Sequence, residues 1–166
     1  MSAEANLNIT LIDDDVPLCE MQKDSLMRKF PDATITMYHT GEDALSKITE
    51  RPDIVVLDYQ LDSVHAEAMN GIQILTKLKE RYPDLPVIFM SSQDRIEVAS
   101  NTIRYGAYDY IVKNETAFHK LQLAVTQLAA LRTLKKSHGV QKFMNIVFWI
   151  LCGVGLVYML VQRFSH

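Results

Sequence analysis

The sequence predicts a doubly wound α/β fold, in which helices cover both faces of a parallel sheet. Short apolar runs rich in β-branched residues alternate with helix-period segments, prolines stand between several of them, and the alternation repeats five times. Five such units in series favour a five-stranded parallel sheet with right-handed crossovers. The predicted strands are Leu7–Ile12, Ala33–Tyr38, Asp53–Leu57, Pro86–Met90 and Tyr108–Val112. The predicted helices are 16–29, 42–50, 71–82, 94–105 and 116–136.

The composition argues against a nucleic-acid-binding protein, a disulfide-stabilised protein and a zinc protein. The chain has 166 residues and a net charge of −3 at pH 7, so its bulk charge gives no indication of a nucleic-acid partner. Cys19 and Cys152 fall in different predicted parts of the chain, which argues against a disulfide framework and fits a reducing cytoplasm. The five histidines are scattered without the spacing of zinc ligands.

The carboxyl-terminal part of the sequence contains a long uncharged run, FMNIVFWILCGVGLVYMLV at 143–161. A helix of this length spans roughly 28 Å, close to the ~30 Å hydrocarbon thickness of a bilayer. The predicted organisation is therefore a soluble domain at 1–136, a basic linker at 137–142, a single-pass transmembrane helix at 143–161 and a short tail at 162–166.

The alternative for this run is a buried helix or a hydrophobic dimer interface. Five βα units already close a core, and a dimer would cover one face of a helix that is apolar all round. Lysine and arginine residues are more numerous before the run than after it, which predicts that the domain lies on the cytoplasmic side of the inner membrane. These residues are Arg132, Lys135, Lys136 and Lys142 before the run and Arg163 after it.

Polar and charged side chains follow four of the five predicted strands. Because the carboxyl ends of parallel strands meet at one edge of an open α/β sheet, where ligands bind, we expect these groups to share one site. They are Asp13, Asp14 and Asp15 after the first strand, Asp58 after the third, Ser91 and Ser92 after the fourth, and Lys113 after the fifth.

The chemistry of this set points to a divalent cation and to phosphoryl transfer. Clustered carboxylates repel one another, and oxygen ligands with room for water and phosphate favour Mg²⁺ over zinc. One carboxylate can then attack phosphorus while an ammonium and a hydroxyl hold the transferred oxygens. An Asp at the end of a strand also commonly caps the helix that follows. We expect Asp15 to cap the first helix in this way and not to bind the metal.

Six segments contain these residues: LIDDD (11–15), GEDAL (41–45), PDIVVLD (52–58), NGIQIL (70–75), LPVIFMSS (85–92) and GAYDYIVK (106–113). Together they resemble the receiver domain of two-component response regulators, the family that includes the chemotaxis regulator. The resemblance covers residues 7 to about 134 and implies a flavodoxin-like fold with strand order 2-1-3-4-5.

The resemblance also implies the ligands of the metal. Asp58 is the implied phosphoacceptor, and Asp14 and Asp58 are the implied direct ligands of Mg²⁺, helped by the backbone carbonyl of Gln60. Asp13 is implied to act on the metal through water.

Three further residues receive roles from the resemblance. Ser91 and Lys113 are implied to contact the phosphoryl group, and Tyr110 matches an aromatic whose rotation is coupled to movement of the hydroxyl. Tyr110 can equally be an ordinary half-buried strand residue.

The sequence departs from the family pattern at several places. Asn114 replaces the usual proline after the lysine, which predicts a different loop geometry and a less rigidly positioned Lys113. Leu61-Asp62 replaces the usual Met-Pro after the phosphoacceptor, and Ser92 stands where a smaller residue is common. The loop from Tyr59 to Asn70 is about five residues longer than usual. It either folds over the site or is a surface insertion that the fold tolerates.

The expected function is a membrane-anchored, stand-alone receiver that accepts phosphate on Asp58 from a histidine kinase or phosphotransfer protein and thereby switches the binding of a partner. A homodimer through the face of the fourth and fifth helices is a further predicted contact. The chain is not expected to be an enzyme beyond its own phosphorylation and dephosphorylation. The alternative is a receiver-like membrane scaffold that is never phosphorylated, suggested by Asn114, Ser92 and the long loop.

Overall fold

The computed structural model of the chain describes residues 6–61 and 69–135. Strands and helices alternate through these residues as the sequence predicts, and each predicted strand lies within one residue of its observed start and end. The strands are β1 Asn8–Ile12, β2 Thr34–Tyr38, β3 Ile54–Asp58, β4 Val87–Ser91 and β5 Asp109–Val112. The helices are α1 Val16–Lys29, α2 Gly41–Lys47, α3 Gly71–Arg81, α4 Ile96–Arg104 and α5 at 117–135.

All five strands are parallel and lie in the order β2-β1-β3-β4-β5, which confirms the predicted flavodoxin-like order. Every residue of β3 and β4 is buried, because helices cover both faces at the centre of the sheet. Asp58 and Ser91 are the last residues of these two buried strands, so the centre of the sheet holds their backbones in place.

Each strand sends alternate side chains to opposite faces of the sheet. On one face, Leu57 and Phe89 pack in a cluster with Ile74, Leu75 and other buried residues of α3 and its neighbours. The large side chains of this cluster exclude water from the layer beneath the carboxyl end of the sheet, where the polar groups gather.

On the opposite face, α1 and α5 are joined by a polar contact. The side-chain amide of Gln122 on α5 donates hydrogen bonds to the carbonyl oxygen of Ser25 at 2.8 Å and to its hydroxyl oxygen at 3.0 Å. Ser25 is buried, so its polar groups need this partner. The contact fixes α1, whose first turn lies next to Asp13.

Helix α2 is shorter than the sequence predicts. The prediction of 42–50 is wrong at its carboxyl end, because the helix ends at Lys47 and Ile48 adopts an extended backbone with ψ of 93°. The cause lies in α3, where the guanidinium of Arg81 donates to the carbonyl oxygens of Leu45 and Ile48 at 3.0 and 3.1 Å. The bond to Leu45 replaces the one that its carbonyl would accept from the N–H of Thr49 in a longer helix, whereas the Ile48 carbonyl could gain no such bond because residue 52 is proline.

The chain divides into two compact units between Leu128 and Ala129. The first contains the sheet. Of the second, the described part is 129–135, which is helical and in which the Thr133 hydroxyl donates to the carbonyl of Ala129 at 3.1 Å.

A search of residues 6–61 and 69–135 finds no helix long and apolar enough to cross a membrane. The predicted linker at 137–142, span at 143–161 and tail at 162–166 lie outside the described residues and stay predictions.

Two glycines give a matched test of how closely α3 packs on the site. A Cβ added at Gly71 would lie 2.7 Å from the backbone carbonyl oxygen of Asp58 and 2.8 Å from the ring of Phe89, whereas one added at Gly41 would meet the flexible end of the Ile74 side chain. We expect Gly71→Ala to lower the free energy of unfolding by about 1–3 kcal/mol, because backbone cannot move aside as a side chain can. Gly41→Ala should cost less.

Urea unfolding of both variants measures the difference. Equal stability of Gly71→Ala and wild type, or a larger loss in Gly41→Ala, would contradict this packing argument.

Candidate functional site at the carboxyl end of the sheet

The structure brings the residues predicted from the strand ends together. Asp13 follows β1, Asp58 and Ser91 end β3 and β4, and Lys113 follows β5. One carboxylate oxygen from each of Asp13, Asp14 and Asp58 can be chosen so that all three lie within 4.8 Å of one another. The predicted cluster of acids is therefore confirmed as a structural feature.

The cluster is largely removed from solvent. Asp13 is 1% exposed and Asp58 is 5% exposed, while Asp14 is half-buried at the rim. Buried carboxylates are costly unless an opposite charge or hydrogen-bond donors compensate them.

The ammonium group of Lys113 lies between two of these carboxylates. The Nζ atom of Lys113 is 3.0 Å from Oδ2 of Asp13 and 3.0 Å from Oδ1 of Asp58. The backbone N–H of Lys113 donates to the carbonyl oxygen of Ser91 at 2.7 Å, which continues the pairing of β4 and β5 and fixes the root of the side chain. The predicted counter-charge is thus in place, bonded to the acids themselves.

The ionisation of the site follows from burial and from these charges. Burial raises the pKa of Asp58, and the attraction of Lys113 only partly offsets it. Burial also raises the pKa of Asp14, and repulsion from Asp13 adds to it. For Lys113, burial opposes the charge, but attraction to Asp58 and Asp13 outweighs it and raises the pKa of the ammonium. Among the described residues, three carboxyl groups thus lie near one ammonium.

This donor set fits a magnesium ion. Three carboxylates supply the hard oxygen ligands that Mg²⁺ prefers, and among residues 6–61 and 69–135 one ammonium, that of Lys113, pairs with them. The backbone N–H of Gln60 donates a hydrogen bond to the carboxylate of Asp58, so Gln60 lies next to that carboxylate. The ligand role of the Gln60 carbonyl stays a prediction.

The side chain of Asp15 caps α1, as predicted. Its Oδ1 atom accepts a hydrogen bond from the backbone N–H of Leu18 at 3.0 Å. Its own backbone N–H donates to Oδ1 of Asp13 at 3.0 Å, so the turn that starts α1 also orients the first acid.

Sequence reasoning missed Gln22. This α1 residue is 1% exposed, and its Nε2 atom donates to Oδ2 of Asp13 at 3.0 Å. The available signal was its position, since it lies three residues after Cys19 and four before Leu26, both fully buried. A polar residue on the buried face of a helix needs a partner, and here the partner is a site carboxylate.

Ser91 and Tyr110 meet at one residue of the loop after β4. The buried hydroxyl oxygen of Ser91 accepts from the backbone N–H of Gln93 at 3.1 Å, and the hydroxyl of Tyr110 donates to the carbonyl oxygen of Gln93 at 2.8 Å. Burial raises the pKa of the half-buried Tyr110 phenol, and a hydrogen bond with Ser91 partly offsets this. A movement of the Ser91 hydroxyl would therefore change contacts that Tyr110 makes.

The loop after Lys113 is ordered by the residue that replaces the usual proline. Oδ1 of Asn114 accepts hydrogen bonds from the backbone N–H of Thr116 at 3.0 Å and from its hydroxyl at 2.9 Å. Within residues 6–61 and 69–135 no peptide bond is cis. The loop is held by a side chain, and the ammonium of Lys113 still reaches both acids. The long loop after Asp58 falls mostly at 62–68, outside the described residues, so its predicted role stays open.

Comparison with known proteins places this geometry in a family. The family model described as the response regulator receiver domain matches residues 9–144, most of the chain. The chain belongs to the response regulator receiver family.

The relatives that this receiver matches are longer regulatory proteins. It is 30% identical over 137 residues to the transcriptional regulatory protein ZraR of Klebsiella oxytoca, a match over 82% of this chain and 29% of that protein. It is 36% identical over 83 residues to the regulatory protein LuxO of Vibrio cholerae, a match over 49% of this chain and 17% of that protein. The receiver thus spans less than a third of the length of these relatives.

A solved structure shares the fold of this receiver. The receiver domain of NtrX from Brucella abortus superimposes with a TM-score of 0.65 at 28% identity, over 74% of this chain and 98% of that one. That structure contains a receiver domain alone.

The charge imbalance of the site predicts a pH-dependent effect of Asp58→Asn in the absence of divalent metal. Because burial raises the pKa of Asp58, its folded form binds protons more readily than its unfolded form, and its contribution to stability falls as pH rises through that window. Asp58→Asn should therefore melt at a higher temperature than wild type at pH 7. The difference should shrink towards zero below about pH 4, the ordinary range of aspartate.

Thermal unfolding followed by circular dichroism in EDTA, from pH 3 to pH 8, measures this difference. Asp32→Asn, at an exposed acid, is the matched control and should follow wild type throughout. A loss of stability in Asp58→Asn that is the same at every pH would contradict the prediction.

Proposed function

We propose that this chain is a membrane-anchored receiver that accepts a phosphoryl group on Asp58 from a histidine kinase or phosphotransfer protein. The observation that carries the proposal is the position of Asp58, a buried carboxylate 3.0 Å from the Lys113 ammonium and within 4.8 Å of two other acids. Family membership adds weight, because receivers are the phosphate-accepting partners of such kinases.

The chain's own groups suit each part of the transfer. A carboxylate oxygen of Asp58 attacks phosphorus of a phosphohistidine, the P–O bond forms as the P–N bond breaks, and the imidazole leaves with the electron pair and takes a proton. Lys113 supplies positive charge where the phosphoryl oxygens arrive, and the Ser91 hydroxyl can donate to one of them. Bound Mg²⁺ would supply neutralisation of the acids and of the incoming phosphoryl charge, held by Asp14, Asp58 and the Gln60 carbonyl, with Asp13 through water.

The output is a change at the surface near α4. Movement of Ser91 towards a phosphoryl group would disturb the contacts that it and Tyr110 make with Gln93, and the chain continues from there into α4. On α4, Ile96 is 80% exposed and Ile103 is 46% exposed, two turns apart on one face. Such a surface suits a protein partner, or a second copy through the fourth and fifth helices, whose affinity depends on phosphorylation.

The proposal extends to the membrane. The uncharged run at 143–161 and the basic residues before it support a single-pass anchor, with the receiver on the cytoplasmic side of the inner membrane. Confinement to a surface would raise the effective concentration of the receiver near membrane-bound partners. Turnover of other phosphorylated substrates is not part of the proposed activity.

Phosphorylation of the purified chain tests the chemistry. Incubation with acetyl phosphate and Mg²⁺ should add the mass of one phosphoryl group, in an acid-stable, hydroxylamine-sensitive linkage, and EDTA should abolish it. Asp58→Asn should remain unlabelled because it has no carboxylate nucleophile, whereas Asp15→Asn, which retains a helix cap, should be labelled like wild type. Mass spectrometry of the intact chain reads the result. An unlabelled wild type would favour the scaffold alternative.

Fractionation of expressing cells tests the anchor. The 166-residue chain should stay in the membrane pellet after an alkaline wash, because a span of about 19 apolar residues inserts into the bilayer rather than adhering to it. The same chain ended after Lys142 should move to the soluble fraction. Release of the 166-residue chain by the alkaline wash would contradict the proposed membrane anchor.

A further inference from the structure

The side-chain amide of Gln22 is buried on α1, and packing of the core alone does not explain why a polar group stands there. A buried amide costs free energy unless its polar atoms are bonded, and an apolar side chain would fill the same space without that cost. Gln22 is 1% exposed on α1, and its Nε2 atom donates to Oδ2 of Asp13 at 3.0 Å. A residue that recovers the cost of burial through a site carboxylate is coupled to the site.

The two oxygens of Asp13 are held by different parts of the fold. Oδ1 accepts from the backbone N–H of Asp15 at 3.0 Å. Oδ2 accepts from Gln22 at 3.0 Å and from the ammonium of Lys113 at 3.0 Å. The carboxylate therefore has one donor from its own loop, one from the underlying helix and one from the far edge of the sheet.

The Lys113 and Gln22 donors differ in charge, and therefore in whether a phosphoryl group at the site would attract them. Lys113 is shared between Asp13 and Asp58, and its ammonium is the cation that an incoming phosphoryl group would attract. The Gln22 amide is neutral and belongs to a helix that Gln122 ties to α5 through Ser25. It can hold Asp13 in the same orientation whether or not Lys113 turns towards phosphate.

We propose that Gln22 is a positioning residue, which fixes the Asp13 carboxylate from behind so that the acid cluster keeps its metal-binding geometry when Lys113 moves to the phosphoryl group. This inference rests on the proposed function, since it concerns the same magnesium site. Donors behind metal ligands commonly change metal affinity 10–100-fold when they are removed.

The test compares Gln22→Met with wild type and with Ser25→Ala. Methionine keeps the length and unbranched shape of glutamine and removes the donor. Ser25→Ala removes a buried hydroxyl one turn further along α1 that makes no described contact with the acids. It keeps the carbonyl oxygen of residue 25, which accepts the 2.8 Å bond from Gln122, so α1 stays joined to α5. Each 166-residue protein is titrated with Mg²⁺ while its melting temperature is recorded, which gives an apparent dissociation constant without phosphotransfer.

We expect Gln22→Met to raise the apparent dissociation constant for Mg²⁺ by about 10-fold or more, and Ser25→Ala to change it less than about twofold. Labelling by acetyl phosphate should need correspondingly more Mg²⁺ in Gln22→Met and approach the wild-type rate when Mg²⁺ saturates. An unchanged Mg²⁺ requirement in a folded Gln22→Met, or an equal change in Ser25→Ala, overturns the inference. A wild type that does not respond to Mg²⁺ at all overturns the proposed function instead.

A measurement on the wild type keeps the inference testable if Gln22→Met does not fold. In the ¹⁵N-labelled chain, the side-chain amide protons of Gln22 should exchange slowly with solvent and shift when Mg²⁺ is added, because they are buried against Asp13. The amide of Gln127, an exposed residue on α5, is the internal control. Exchange of the Gln22 amide as fast as that of Gln127, or signals indifferent to Mg²⁺, would contradict the assigned role.

Discussion

A shortage of positive charge governs the carboxyl end of this sheet. Asp13 and Asp58 are almost completely buried, Asp14 lies beside them, and the ammonium of Lys113 lies 3.0 Å from each of the two buried acids. Within the part of the chain that the structure describes, one ammonium faces three carboxylates, and removal from water makes their mutual repulsion stronger than it would be on an open surface. In the proposed function, a bound divalent cation would relieve that repulsion, and an incoming phosphoryl group would meet a nucleophile in Asp58 and a counter-charge in Lys113.

The rest of the fold maintains this unfavourable arrangement. The two buried central strands, β3 and β4, hold the backbones of Asp58 and Ser91, and the packing of Phe89 beneath them excludes water from the layer below the site. Gly71 approaches the Asp58 carbonyl so closely that an added Cβ would lie 2.7 Å from its oxygen. Hydrophobic burial in the sheet supplies the free energy that offsets the clustering of like charges. The candidate site therefore lies where the buried strands of the sheet hold the backbone.

The sequence predicted the strands, their order and the acids, the hydroxyl and the lysine because each depends on local pattern. An apolar run that ends in Asp or Lys marks both a strand and its carboxyl end, and parallel strands bring those ends together whatever lies between them. Gln22 could not be paired with Asp13 in this way, since that contact depends on how α1 is rotated against the sheet. The end of α2 was likewise set at a distance, by Arg81 from a different helix. The Asn114 loop illustrates the same limit: the missing proline was visible, but the hydrogen bonds that replace its rigidity were not.

The most direct test is a crystal structure of the chain with Mg²⁺ and beryllofluoride, a stable mimic of the phosphoryl group. The account predicts the fluoride adduct on the Asp58 carboxylate, with Lys113 and Ser91 in contact with its fluorine atoms and the metal among the three acids. An empty site, with the Lys113 ammonium still lying between Asp13 and Asp58 at saturating concentrations of both reagents, would contradict it.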